Sequence, residues 1–225
     1  DWCEICSDVD GVYSADPRVV PQAQRIATMS YEEMQEMAEA GAKVLNAQAV
    51  EFAKERGISI YARATAQPPP EGDSLSDGTV VRKFGPRRPG TVVGVASEKD
   101  LFVLQSTANA DALLAFLDTH QVCGKQLHLA AAGGPSDWLS MVLSRENLHD
   151  EERVRNLLAE KFGGSVRLLD GIGAVSVIGA GINTSYKNLR TGSAALTSLD
   201  VLGISTSSFR ITWLMPQSCV EEAVR

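Results

Sequence analysis

The sequence predicts a mixed α/β (α+β) protein: an open α/β layer followed by two small antiparallel sheets, each with helices on one face. Three observations carry this. Residues 1 to about 66 alternate strand-like and helix-like patterns. A Pro-rich polar stretch, Gln67 to Gly78 (QPPPEGDSLSDG), then interrupts both periodicities. From Thr91 onward a strand-helix-strand-strand-helix order occurs twice, with landmarks recurring at roughly seventy residues, the sign of an internal repeat.

Composition narrows the class. The 225 residues are 44% apolar and 22% charged, as in an ordinary soluble globular protein, with room for one large domain or two to three small ones. A net charge of −7, from 28 acidic and 21 basic residues, argues against a nucleic-acid partner, which calls for a basic stripe. No apolar run approaches the roughly 18–20 residues of a membrane span, and no signal peptide is read at the start. The chain opens inside a strand pattern without Met and stops inside an amphipathic helix pattern, so it is expected to be cut from a longer one. Four scattered cysteines do not make a disulfide framework. Cys3-x-x-Cys6 has no second pair to complete a zinc site, and three-residue spacing on a strand points the two thiols to opposite faces. Reduced cysteines in a cytoplasmic protein, with no metal site, are expected.

The elements follow in order. Residues 1–6 form a strand, and Ser7-Asp8-Val9-Asp10-Gly11 a polar turn. Ser30-x-x-Glu33 is a capping box that opens a helix through Met34 and Met37 to Gly41. Val44, Leu45, Ala49, Phe52 and Ala53 predict a second helix ending at Gly57, and Ile58 to Arg63 a second strand. Two strands alone leave edges unpaired, so this layer reads as part of a larger one. Arg82 to Arg88 adds a basic, solvated patch. In the first repeat the strands are 100–105, 125–130 and 138–143, the helices 111–117 and 151–160, with a Gly133-Gly134-Pro135 turn. In the second, the strands are 174–178, 201–206 and 209–214, with a helix over 189–198 and another from Gln217.

Several motifs imitate ligand sites. Lys161-Phe-Gly-Gly-Ser-Val166 has the letters of a phosphate-cradling loop. However, Glu151, Val154, Leu157, Leu158 and Phe162 place it at the end of a helix, whereas phosphate binds at a helix start. Lysine in the last turn and a glycine cap account for it. Gly171-x-Gly173 and Gly179-x-Gly181 lack the strand-to-helix context of a dinucleotide fingerprint and are expected at strand ends. His120, His128 and His149 have no metal-ligand spacing and complete no Ser/His/Asp arrangement.

Ser7-Asp-Val-Asp-Gly-Val-Tyr-Ser-Ala-Asp-Pro-Arg18-Val-Val-Pro21 resembles the signature near the end of the aspartate kinase catalytic domain. Ser30-Tyr-Glu-Glu-Met34, Gly41-Ala-Lys-Val-Leu45 and Gly78-Thr79 follow at that family's spacing, and Ile204-Ser-Thr-Ser207 matches a strand of its regulatory region. The resemblance covers essentially the whole chain. It implies a C-terminal segment of an amino-acid-kinase α/β domain (1–66), a linker (67–90) and two ferredoxin-like ACT domains (91–168 and 169–225). The family transfers the γ-phosphoryl of MgATP to the side-chain carboxylate of aspartate, the first step toward lysine, threonine and methionine. By the same resemblance Ser7, Asp8, Tyr13, Arg18, Lys43 and Val44 stand on the ATP side. On the residues alone, Asp8-x-Asp10-Gly11 is equally a turn, and Arg18 and Lys43 are equally solvated.

Departures from the family pattern are definite. Asn46-Ala47 replace His-Pro, and the equivalents of the effector turns, Gln105 to Asn109 and Ile182 to Tyr186, lack the usual proline and glycine. Asp200-Val201 stands in place of Asn-Ile, and Ser208 in place of a frequent glutamate. Asn183, Thr184, Asp200 and Val201 are the candidate grip on a lysine or threonine effector, or else capping and turn residues. The family's own Lys-Phe-Gly-Gly segment and aspartate site lie upstream, so no catalytic residue is assigned here and this chain alone is expected to be inactive. A homodimer through the ACT sheets is implied. The alternative is a non-catalytic amino-acid sensor or regulatory subunit.

Overall fold

The computed structural model describes residues 1–65, 77–83, 89–131 and 137–225. The expected 67–78 linker, the 82–88 basic patch and the Gly133-Gly134-Pro135 turn lie wholly or largely outside those residues. The chain divides into two compact units. The first comprises Asp1–Glu98, Ala174–Met215 and Cys219–Arg225; the second comprises Lys99–Gly173 and Pro216–Ser218. No helix among the described residues is long and apolar enough to cross a membrane.

In the first unit, β1 (Trp2–Ser7), β2 (Thr28–Met29), β3 (Ser59–Ala64) and β4 (Thr79–Val81) form a four-stranded sheet in the order β1-β3-β4-β2. The sequence had shown two of these strands. β1 pairs with β3 and β2 with β4 in parallel, while β3 and β4 are antiparallel. Along β1 burial alternates, so Cys3 packs toward the core while Cys6 is exposed on the other face.

Helix α1 (Tyr31–Glu39) starts where the capping box predicts: the Ser30 side chain accepts from the Glu33 amide. Its Met34 and Met37 are buried, and the Tyr31 hydroxyl satisfies itself on the Ile58 carbonyl at 2.8 Å. α2 (Ala47–Arg56) begins later than the Val44–Leu45 spacing suggests. Asn46 is its cap, with the side-chain oxygen accepting from Gln48 and Ala49, so Val44 and Leu45 belong to the preceding turn. Gly57, with φ +66, ends α2 as expected.

β5 (Gly94–Ser106) and β8 (Val166–Ile178) are long strands that contribute residues to both units. In the first unit, Ala96 and Ile178 join the core built by Met29, Met34, Met37, Val50, Ile60 and Val81. A second core surrounds Trp213 of β10 (Arg210–Pro216), whose indole N–H reaches the Ser193 hydroxyl of α5 (Lys187–Ala195) at 3.1 Å. β10 pairs antiparallel with β9 (Gly203–Thr206), and the chain closes with a 3₁₀ turn (Gln217–Cys219) and α6 (Val220–Val224). The helix expected from Gln217 therefore begins three residues later. Gly171 and Gly173 sit inside β8 rather than at its end; Gly171 has φ +68, an irregularity within the strand.

In the second unit β7 (Asp137–Ser144) lies antiparallel between β6 (Lys125–Ala131) and β5, with α3 (Ala110–Thr119) and α4 (Glu151–Phe162) supplying the helices. Leu104, Leu113, Leu139 and Leu158 are at its centre. Lys161 is in the last turn of α4, its ammonium over the Phe116 and Phe162 rings at 5.2 and 5.6 Å. Gly163 then adopts φ +51 and ψ −133, a conformation open to glycine, so the phosphate-like run is a helix end. Arg145 and Arg155 both lie over the Phe102 ring, at 5.5 and 4.8 Å, and both pair with Glu151 and Asp170.

Two stability predictions follow from this packing. Gly41 has φ +108, and a Cβ there would stand 2.3 Å from the Ser97 carbonyl oxygen; Gly57 has positive φ but open space. Gly41→Ala is expected to cost about 2–4 kcal/mol and Gly57→Ala about 1 kcal/mol, read by thermal or denaturant unfolding. The second concerns pH. Hydrogen bonding from Arg155, then Arg145, holds Asp170 below the usual carboxylate range. Burial would raise Glu151, but Arg145 and Arg155 together bring it below its usual value. Both carboxyls are depressed in the folded state. Their stabilisation is thus present above the unfolded values, near 4, and lost as pH falls through the folded ones. Unfolding midpoints between about pH 6 and pH 3 should decline less steeply in Asp170→Asn than in the unsubstituted chain.

Candidate functional site

Open α/β sheets bind ligands beyond the carboxyl ends of their strands, and β1 ends at Ser7. The Ser7 carbonyl is held by the Thr65 amide and hydroxyl at 2.8 and 2.9 Å, which fixes where the following loop leaves the sheet. The Ser7 hydroxyl closes a local turn with the backbone of Val9, and Asp8 projects exposed at its start.

The loop then doubles back on residues 24–26. Tyr13 bridges to Arg25, the Ser14 amide donates to Gln24, and the Ile26 amide donates to Val12. Asp10 is the acceptor at the centre. Its two carboxylate oxygens receive the Tyr13 hydroxyl at 2.9 Å and the Arg25 guanidinium at 3.2 Å. That hydrogen bond to Asp10, reinforced by burial, raises the Tyr13 pKa above the ordinary phenol value, so the hydroxyl stays a donor and the ring is tethered.

Below the loop sits Thr79 of β4, fully buried. Its hydroxyl accepts from the Val12 amide at 2.8 Å and donates to the Ile26 carbonyl at 2.7 Å. Gly11, with φ +141, leaves space for it, since a Cβ there would lie 2.7 Å from the Thr79 oxygen. Arg18 is on an exposed turn, bound through its guanidinium to Asp16 at 2.8 Å. Lys43 and Val44 occupy the α1–α2 turn, Lys43 exposed and Val44 packed against the core.

Ser7, Asp8 and Tyr13 thus share one loop, while Arg18 and the Lys43–Val44 pair stand on two further turns of the same unit. Sequence reasoning missed Asp10, Arg25 and the role of Thr79. Asp10 had been read only as a turn former. Thr79 was visible as a spaced motif without a function, and Arg25 had no local signal.

The candidate effector residues lie on two other turns of this unit. The Asn183 amide donates to the carbonyls of Ser207 and Arg210, the latter at 3.2 Å, and the Thr184 amide closes a turn on Gly181. Asp200 is exposed, and Val201 packs against the Trp213 core. Among the described residues no group of three or more His, Cys, Asp or Glu side chains is placed to hold a metal ion.

Thr79→Val keeps the shape but strands the buried Val12 amide and the partly buried Ile26 carbonyl. It should cost about 2–4 kcal/mol and speed amide exchange at Val12, whereas Thr79→Ser, which keeps the hydroxyl, should cost about 1 kcal/mol. Unfolding curves and hydrogen exchange read both effects.

The amino acid kinase family matches residues 1–63. Aspartokinase of Mycolicibacterium smegmatis is 30% identical over 245 aligned residues, covering 100% of this chain and 55% of its own length. Aspartokinase III of E. coli, in complex with aspartate and ADP (R-state), has a TM-score of 0.84 at 22% identity, over 99% of this chain and 50% of that one. The same enzyme in complex with lysine and aspartate (T-state) gives 0.77 at 22%, over 98% and 49%. The ligand-free regulatory subunit of aspartate kinase from Thermus thermophilus gives 0.52 at 19%, over 60% of this chain and 95% of its own. The chain spans about half the length of the curated relatives it matches, 55% in the M. smegmatis case. From end to end, and over about half of their length, the chain is similar to aspartokinases, and its first 63 residues match the amino acid kinase family.

Proposed function

We propose that the chain is part of an aspartate kinase, which transfers the γ-phosphoryl of ATP to the side-chain carboxylate of L-aspartate and yields 4-phospho-L-aspartate, the first step toward lysine, threonine and methionine. The observation that carries this is the similarity to aspartokinases across the whole chain. The geometry is compatible with it. Ser7 and Asp8 offer hydrogen-bonding groups at a strand's carboxyl end, and Tyr13 offers a tethered ring face to a base. Arg18 and Lys43 are exposed cations suited to the phosphates of MgATP. Arg18 is held by Asp16 in a surface pair of the kind worth at most about 1 kcal/mol, so exchanging that partner for a phosphate costs little. Catalysis of this type rests on positioning and charge stabilisation.

In this reading residues 1–66 complete one wall of the nucleotide site, 67–90 connect, and 91–168 and 169–225 are the two ACT domains. These pair with a second copy in a cytoplasmic homodimer. Asn183, Thr184, Asp200 and Val201 take a lysine or threonine effector. The aspartate site and the main phosphate-binding lysine belong to the rest of the protein, so the 225-residue chain alone does not turn over. A second reading, a separate regulatory subunit, is favoured by the match to 95% of the T. thermophilus regulatory subunit.

Coupled measurement of ADP release with hydroxamate trapping of the acyl phosphate separates the two. The whole protein encoded with this chain should consume ATP only with aspartate. Lys43→Ala and Arg18→Ala should each lower kcat/KM for ATP by about tenfold or more. Wild-type kinetics in both variants would remove the nucleotide assignment. An open reading frame beginning at Asp1 with no turnover would favour the regulatory subunit. Titration calorimetry of the chain with lysine, threonine and methionine should give heat with one of them, and none with any would overturn the effector assignment.

A further inference from the structure

Helix α1 carries a stripe of carboxylates, Glu33, Glu36 and Glu39, at three-residue spacing on one side. Each meets the segment of the first unit that follows β8. Glu33, fully buried, accepts from the Ala180 amide at 3.2 Å. Glu36 accepts from the Ser207 hydroxyl at 3.1 Å and pairs with Arg210 Nε at 3.2 Å, and Glu39 lies 3.8 Å from Arg210 Nη1. The Glu36 and Arg210 side chains are only 19% and 15% exposed, so this pair is far better shielded than the surface pair of Arg18 and Asp16.

On the receiving side, Asn183 uses both hydrogens of its amide on the carbonyls of Ser207 and Arg210, the two residues whose side chains hold Glu36. At the other end, α1 runs into Ala40 and Gly41. The Gly41 and Ala42 amides close onto Ala38 and Met37, and Lys43 follows within the same turn.

We propose that Arg210 is a positioning residue for the nucleotide side. By holding Glu36 and Glu39 it fixes the C-terminal end of α1 and, through the turn that follows, the place of Lys43. The inference rests on the assignment of Lys43 to ATP made above. With the effector assignment of Asn183 made above, it also gives a route from that turn to Lys43. A ligand that accepts from the Asn183 amide nitrogen must take a hydrogen from the Ser207 or the Arg210 carbonyl, because both hydrogens are in use. The segment holding α1 then loses its own brace.

The test uses the whole protein with MgATP and aspartate as probes. Arg210→Ala should raise KM for MgATP about tenfold or more, with kcat and KM for aspartate within about twofold, and Arg210→Lys should recover part of the loss. Glu36→Gln combined with Arg210→Ala should be no worse than Arg210→Ala alone, as expected of two partners in one interaction. Independently of turnover, amide exchange over residues 40–45 should quicken in Arg210→Ala and Glu36→Gln but not in Glu32→Gln, whose partner is Lys54 of α2. Unchanged KM for MgATP in an active protein, or unchanged exchange over 40–45 despite a lowered unfolding midpoint, overturns the positioning role. An inactive wild type with quickened exchange in the variants counts instead against the kinase reading, and leaves Arg210 as the brace of α1. If Arg210→Ala does not fold, Glu36→Gln, which keeps the side-chain shape, carries the same two measurements.

Discussion

The hydroxyl of Thr79 stands between two backbone groups that no strand supplies with a partner, the amide of Val12 and the carbonyl of Ile26. Thr79 has no exposure and Val12 almost none, so the amide in particular cannot turn to water. Everything on the candidate nucleotide side builds upward from that point. The pairing of residues 12–14 with 24–26 lies directly above it, Asp10 gathers Tyr13 and Arg25 at the end of that pairing, and Gly11 exists as glycine because the hydroxyl occupies the space of a side chain. A single short side chain therefore links the sheet to a loop that contains little regular structure of its own.

Helix α1 shows how one element meets two demands. Met34 and Met37 face the core shared with α2 and the sheet, the role that their spacing announces. Its other side carries acids in a number that apolar burial does not ask for. Glu32 reaches Lys54, and the remaining three meet backbone and cation on the segment after β8. An amphipathic helix is usually read as one buried face and one wet face. Here all four acids of the polar face have protein partners, which restricts rotation and sliding of the helix more than apolar packing alone would.

What the sequence made legible was local. The Ser30-x-x-Glu33 capping box, the buried methionines, the glycine ends of helices and the order of strands after residue 91 all follow from spacings of three to four or of two. The structure departs where the information is not local. β2 and β4 are two and three residues long, too short for any periodicity, and exist because β3 and β4 offer edges to them. β5 and β8 run through Glu98-Lys99-Asp100 and Asp170-Gly171, where polar residues and positive φ interrupt alternation, so their expected starts came late. Thr79 acts across 67 residues and Arg25 across 15, and a partner at such a distance leaves no mark in its neighbours. Lys161-Phe-Gly-Gly has letters suited to a phosphate but stands at the end of a helix, where the dipole repels one.

The discontinuity of the first unit has a consequence for synthesis. Its core takes Ile178 into contact with Met34 and Met37, and it includes residues to 215 and beyond, whereas the second unit draws nearly all its residues from one uninterrupted stretch, 99–173. As the chain leaves the ribosome, the inserted stretch emerges complete while the N-terminal layer still lacks Ala180, Ser207 and Arg210. For that interval helix α1 presents its carboxylates to water, and long loops must close before it is braced. The order of emergence thus leaves helix α1, among the first residues of this chain to be made, waiting on some of the last for its brace.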